Sequence, residues 1–146
     1  MRINMDCIRD ILLCVEENTG LQQRCFFISY DLAKVQELIG LPAIEPAPYQ
    51  IELEKLYANE DLIYHLKYCF DAGLIEAQDN IPNYQIWVAD LTVKGHDFIA
   101  NIRDDKLWNT IKKVCAEKGV SSIGTLLEVA GTTALKSLVS GISTLL

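Results

Sequence analysis

Histidine is scarce in this chain of 146 residues: His65 and His96 are the only two. Basic residues are also few, 13 Lys and Arg against 20 Asp and Glu, for a net charge of -7. No pair among the five cysteines (Cys7, Cys14, Cys25, Cys69, Cys115) is spaced C-x-x-C, and their number is odd. The sequence contains no G-x-S-x-G, no H-E-x-x-H, no P-loop and no G-x-G-x-x-G. Each lack excludes something. The cysteines argue against a disulfide-stapled secreted domain and for a reducing cytoplasm, where they serve as small core hydrophobes. The histidines leave a metal site short of ligands: His65 and Cys69 lie four apart on a helical pattern, but no spacing supplies a third and fourth partner. The missing motifs remove the common routes to nucleophilic, phosphate and dinucleotide chemistry, so no cofactor is expected and the chain reads as non-enzymatic. The acidity opposes generic nucleic-acid binding, which draws on Lys and Arg.

What is present is apolar and periodic. Half of the residues are hydrophobic, enough for one core in one domain plus an added helix. The N-terminus, MRINMDCIRD, is polar and then amphipathic, unlike a secretory signal. Asn4 is a helix-capping candidate, and Ile8, Ile11, Leu12 and Val15 form a stripe at i, i+3, i+4, i+7, predicting a first helix over Met5–Glu17. Arg24 to Tyr30 reads as a strand. Asp31 is expected to cap a second helix over Leu32–Ile39, whose Leu32, Val35, Leu38 and Ile39 share a face, with Gly40 closing it. Pro42, Pro46 and Pro48 make a stiff linker. The alternation of Tyr49, Ile51 and Leu53 suggests a strand, with a helical turn through Leu53 and Leu56 as the alternative.

A third helix is expected after an Asn59 cap, with Leu62, Leu66, Cys69 and Phe70 inward and Asp61, Tyr64, His65, Tyr68 and Asp71 outward, ending at Ala72-Gly73. Strands over Leu74–Ala77 and Tyr84–Ala89, joined by the turn-rich 79–83, make a hairpin. Thr92 caps the next helix, with Leu91 as a staple residue; that helix either runs on through Trp108 or breaks near Arg103, and Gly119 stops it. Ser121 or Ser122 then caps a last segment to Leu146.

Helix, strand, helix, linker, helix, hairpin, helix is the order of a winged-helix module. The expected fold class is therefore α+β, mainly helical: a winged helix-turn-helix-like domain with a two-stranded wing over 1–105, carrying a Pro-containing insertion near 40–58, and a C-terminal helical extension over 106–146. In such a module the helix before the hairpin is the candidate recognition helix. Three segments go further than the class: N-M-D-C-I-R-D-I-L-L (4–13), Y-H-L-K-Y-C-F-D-A-G-L-I-E-A (64–77) and L-T-V-K-G-H-D-F-I-A-N-I-R-D-D-K-L-W (91–108). They resemble an uncharacterised family of bacterial and phage genomes in which Tyr-His-Leu, Ala-Gly-Leu-Ile, Leu-Thr, Gly-His and a late Arg-Asp-Asp with Trp recur. The resemblance covers the first helix and residues 60–118. It implies a winged-helix-like fold and a prophage or mobile-element setting, and no activity. Residues 19–58 are longer and richer in proline than the family pattern.

Charge decides how such a module would be used. Residues 59–105 hold three basic and nine acidic side chains, a balance of -6, whereas 106–146 carry +3. Phosphate is repelled by the first field. Tyr64, His65, Lys67 and Tyr68 are therefore a candidate face for protein, since Tyr is enriched at protein interfaces. In the bland reading, the rings pack on the Pro-rich segment or the wing and His65 makes a structural hydrogen bond. His96 is read as structural, bonding across to the hairpin. Lys106, Lys112 and Lys113 are the candidate backbone-contacting basic cluster, should DNA be bound. The last segment, 123–146, is apolar on most sides, with Ile123, Leu127, Ala130, Ala134, Leu138 and Leu145 along one seam. Glu128 and Lys136 oppose a membrane span, so the segment is expected to pack on the domain or mediate a homodimer. The whole reads as a cytoplasmic protein-binding module, protein ahead of DNA, with a dimeric DNA-binding regulator as the alternative.

Overall fold

The structure, a computed structural model, describes residues 2–40, 42, 44–78, 85–119 and 122–145, with Gln78 and 141–145 described by their backbone only. Among these are seven helices and three strands: α1 (Met5–Asn18), β1 (Cys25–Ile28), α2 (Tyr30–Leu38), α3 (Pro48–Glu54), α4 (Asn59–Asp71), β2 (Ile75–Gln78), β3 (Gln85–Leu91), α5 (Val93–Ile102), α6 (Asp105–Lys118) and α7 (Ile123–Leu145). The strands form one antiparallel sheet in the order β1-β3-β2. The fold is thus α+β and mostly helical. The expected loop at 79–83 lies outside the described residues, as does Ser121.

The core is built around α1. Its Cys7, Ile8, Ile11, Leu12 and Val15 are buried against Leu62, Leu66 and Cys69 of α4, Val88 of β3, Phe98, Ile99 and Ile102 of α5, and Trp108, Ile111 and Cys115 of α6. Capping by Asn4 is as expected: its side chain accepts the Cys7 N–H. All five cysteines are free and buried. The hairpin forms, with a register shift between Glu76 and Ala77.

Several expectations are corrected. The segment after Pro48 is a helix, not a strand, because Pro48 opens its first turn and Gln50 and Leu53 point inward while Ile51 stays exposed. Its buried Gln50 holds β1 by two bonds, donating to the Ile28 carbonyl and accepting the Ile28 N–H. Ser29 rather than Asp31 caps α2, accepting the Leu32 N–H. Asn59 is the first residue of α4 rather than its cap, since its side chain is spent on the Ile28 carbonyl and the Tyr30 N–H. Phe70, expected inside, is exposed.

Helix α2 is turned outward. Leu32, Val35, Leu38 and Ile39 do share a face, but that face meets solvent, and the residue buried under α2 is Gln36. The Gln36 Oε1 has no hydrogen-bond partner.

The long helix breaks at Arg103. Asp104 caps α6 by accepting the Leu107 N–H, and the guanidinium of Arg9 donates to the last carbonyls of the preceding turn, Ile102 O at 2.9 Å and Arg103 O at 2.8 Å. Those carbonyls would otherwise be orphans of a helix end. Gly119, at φ 66°, closes α6 in the left-handed region. Only the first half of α7 is covered: Leu126, Val129 and Ala130 are buried on α5 and α6, whereas Leu135, Leu138 and Val139 are exposed. Among the described residues no helix is long and apolar enough to cross a membrane.

Candidate interaction face

Of the candidate face, the structure brings Tyr64 and Tyr68 together and withdraws His65. The two rings lie 4.9 Å apart edge to face, with their hydroxyls 3.1 Å apart. The Tyr68 hydrogen bond holds the Tyr64 phenol above its ordinary value. Lys67 is exposed. His65 was expected on the outward face and is buried instead. Its Nδ1 faces the Asp61 carbonyl and its Nε2 the Asn4 N–H, both at 2.7 Å. A carbonyl can only accept and an amide N–H only donate, so the ring is the neutral Nδ1–H tautomer. It ties the start of α1 to α4. The structural hydrogen bond expected of His65 is there, and the imidazole has no nitrogen left for a ligand.

Besides Phe70, the exposed residues of α4 are Glu60, Lys67 and Asp71, and Glu60, Tyr64, Lys67 and Asp71 line one side, Tyr64 partly exposed. These positions recur at i, i+4, i+7, i+11, one face of a helix. Two carboxylates stand there against one ammonium.

His96 sits far from His65 in role: its Nε2 is 3.5 Å from Asp90 Oδ1 on β3, so it reaches the hairpin as expected. Cys69 is wholly buried. Burial pushes the Cys7 and Cys25 thiols up to about 12 and that of Cys14 to about 11, and raises those of Cys69 and Cys115. Thiols held protonated are poor nucleophiles and poor metal ligands. Among the described residues no three His, Cys, Asp or Glu side chains gather as a metal would require.

The basic cluster divides. Lys112 turns inward to Asp6, 3.0 Å away, over the Trp108 ring. Lys106 and Lys113 are exposed and, seven residues apart, share the other side of α6. Lys106 lies with Lys118 and Lys136 on a groove of about 720 Å³ between α6 and α7, which Asp104 and Glu128 also line. A smaller cleft of about 550 Å³ is bounded by Arg2, Asp6, Tyr57, Asp61, His65 and Lys112. Several of its polar groups are paired within the fold: the Tyr57 hydroxyl donates to Asp10, and Asp6 accepts from Lys112 and the Trp108 indole.

The model of the family described as hypothetical protein DUF2513 matches residues 2–121. The chain belongs to that family. A relative from Haemophilus influenzae (strain ATCC 51907 / DSM 11121 / KW20 / Rd), itself described only as an uncharacterized protein, is 33% identical over 79 residues, covering 52% of this chain and 67% of the relative. No solved structure matches.

The short motifs of this DUF2513 chain turn out to be joints of the fold. Asn4 meets His65; Asp6 meets Trp108 Nε1 at 2.8 Å; Arg9 brackets Ile102, Arg103 and Asp105; Arg103 meets Glu16 at 2.6 Å. Thr92 donates to the Gly73 carbonyl and caps α5 at Gly95, and Gly73 makes its reversal at φ 74°. What sequence reasoning missed is the outward apolar face of α2. Gln36 is the uncharged polar residue off the stripe, but periodicity gives the stripe and not its direction.

Proposed function

We propose that this DUF2513 protein is a non-enzymatic winged-helix module of phage- or mobile-element-linked origin that binds another protein. The winged-helix assignment is supported by the order of elements, with α4 directly before the β2–β3 hairpin, and by the sheet order β1-β3-β2. The mobile-element setting rests on the motif resemblance alone. Preference for protein over DNA rests on one observation. The outward face of α4 sets Glu60 and Asp71 against Lys67, and a helix entering the major groove needs donors there. Apolar side chains, by contrast, are exposed on α2 and α7. The test is a titration with fluorescent duplex DNA at low salt. The expected result is no binding that weakens as salt is added; tight, salt-sensitive binding overturns the reading.

A dimeric DNA-binding regulator is the second reading, favoured by the shared face of Lys106 and Lys113. In that case Lys106→Glu with Lys113→Glu abolishes the salt-sensitive binding, whereas Lys67→Glu on α4 separates groove reading from backbone contact.

A further inference from the structure

Two helices of this chain turn an apolar stripe away from the domain. On α2 it is Leu32, Val35, Leu38 and Ile39, 50–87% exposed; on α7 it is Leu135, Leu138 and Val139, 53–62% exposed. These are seven of the thirteen large hydrophobic side chains exposed among the described residues, so the uncovered apolar surface is concentrated rather than scattered. Both stripes follow helical spacing, over residues 32–39 on α2 and 135–139 on α7. Their flanks differ in sign. Residues 30–60 carry -4, and on α2 itself Asp31 and Glu37 outnumber Lys34; residues 129–146 carry a single charge, that of Lys136.

We propose that α7 of one copy of this chain packs across α2 of a second copy, and that the contact is made twice about a two-fold axis. The inference rests on the protein-binding reading above and names the partner as the chain itself. Charge is complementary across α2 and α7, with Lys136 of one copy beside Asp31 of the other. Pairing α7 with α7 would bring the two Lys136 side chains to the same interface and leave α2 bare, and like charges brought together across an interface cost affinity. The reciprocal contact covers both stripes on both copies and leaves none to recruit a third, which is what closes a symmetric dimer.

Sedimentation velocity on the full chain at micromolar concentration tests this. A dimer is expected. Val35→Glu and Leu138→Glu are both solvent-facing changes, so circular dichroism should be unaltered, and each should give a monomer. Mixing the two variants restores one intact contact, because each supplies the helix the other has lost, and partial heterodimer should return. Lys136→Glu should weaken the dimer by about tenfold, with recovery when Asp31→Lys is added to the same chain. A wild-type monomer overturns the proposal. So does a dimer that survives Val35→Glu but not Leu138→Glu, which is α7–α7 pairing, and so does assembly that grows beyond two copies. A dimer that also binds duplex DNA tightly overturns the reading of function and leaves the dimer standing.

Discussion

His65 on α4 takes the backbone N–H of Asn4 on its Nε2, a 2.7 Å bond between residues 61 apart in the sequence. Asn4 caps α1 with its side chain, so one residue fixes the helix start while the imidazole fixes where that start lies on the core. Replacing His65 by Leu fills the site with an apolar side chain but strands the Asn4 N–H. The expected cost is about 2–3 kcal/mol, read as a lower urea midpoint at unchanged slope. Because the ring has no exposed nitrogen role, partner binding by the folded fraction should be unaltered.

Asp6 gives the chain an acid-sensitive joint. Partial burial pushes its carboxyl up, but hydrogen bonds from Trp108 and Lys112, with the charges of Lys112 and Arg9, outweigh that and hold it below its ordinary value. A carboxyl lowered in the folded state contributes stability that is full above its unfolded pKa, about 4, and is lost as pH falls through the folded value. Asp6→Asn removes that contribution. Thermal melts taken from pH 6 downward should therefore show wild type and variant converging below about pH 4. Parallel curves across that window would refute the assignment.

Two glycines should respond in opposite ways to alanine. Gly95 of α5 lies so close to the Leu74 carbonyl that a Cβ would collide with it, and backbone cannot step aside as a side chain can. Gly95→Ala should cost about 2–3 kcal/mol, seen in chemical denaturation. Gly124 of α7 has nothing near its missing Cβ, so Gly124→Ala should stabilise by roughly 0.5–1 kcal/mol through helix propensity.

Gln36 offers a gain. It is buried beneath α2 with Oε1 unpartnered. Gln36→Met keeps the length and removes the unsatisfied acceptor, and should raise stability by about 1 kcal/mol. A loss of similar size in the melt would show that the amide is held by something other than packing.

The elements legible in the sequence were those whose signal is local. The α1 stripe at Ile8, Ile11, Leu12 and Val15 with its Asn4 cap, the left-handed stop at Gly119 and the Thr92 cap each depend on residues within one or two turns. Illegible were the features set by distant partners. Asn59 looks like a cap, yet β1 claims its side chain. His65 looks like a surface residue among tyrosines, yet Asn4 claims its ring. The strand-like alternation at 49–54 was outweighed by Pro48 and by the use of Gln50 as a brace for Ile28. The candidate face shrank for the same reason: Tyr64, Lys67 and Tyr68 kept their places, and the residue that looked most chemical proved to be a joint.

The bracket that Arg9 and Asp6 make with residues 102–112 also sets a timetable. Asp10 meets Tyr57 only 47 residues on, but the partners of Arg9 and Asp6 emerge late, Trp108 coming 102 residues after Asp6. During synthesis α4, β3 and α5 can cover the apolar stripe of the first helix, but its polar bracket must wait for the sixth, and non-local closure of this kind is slow. Folding should therefore be completed only after release of α6 from the ribosome, when the bracket on Asp6 and Arg9 closes.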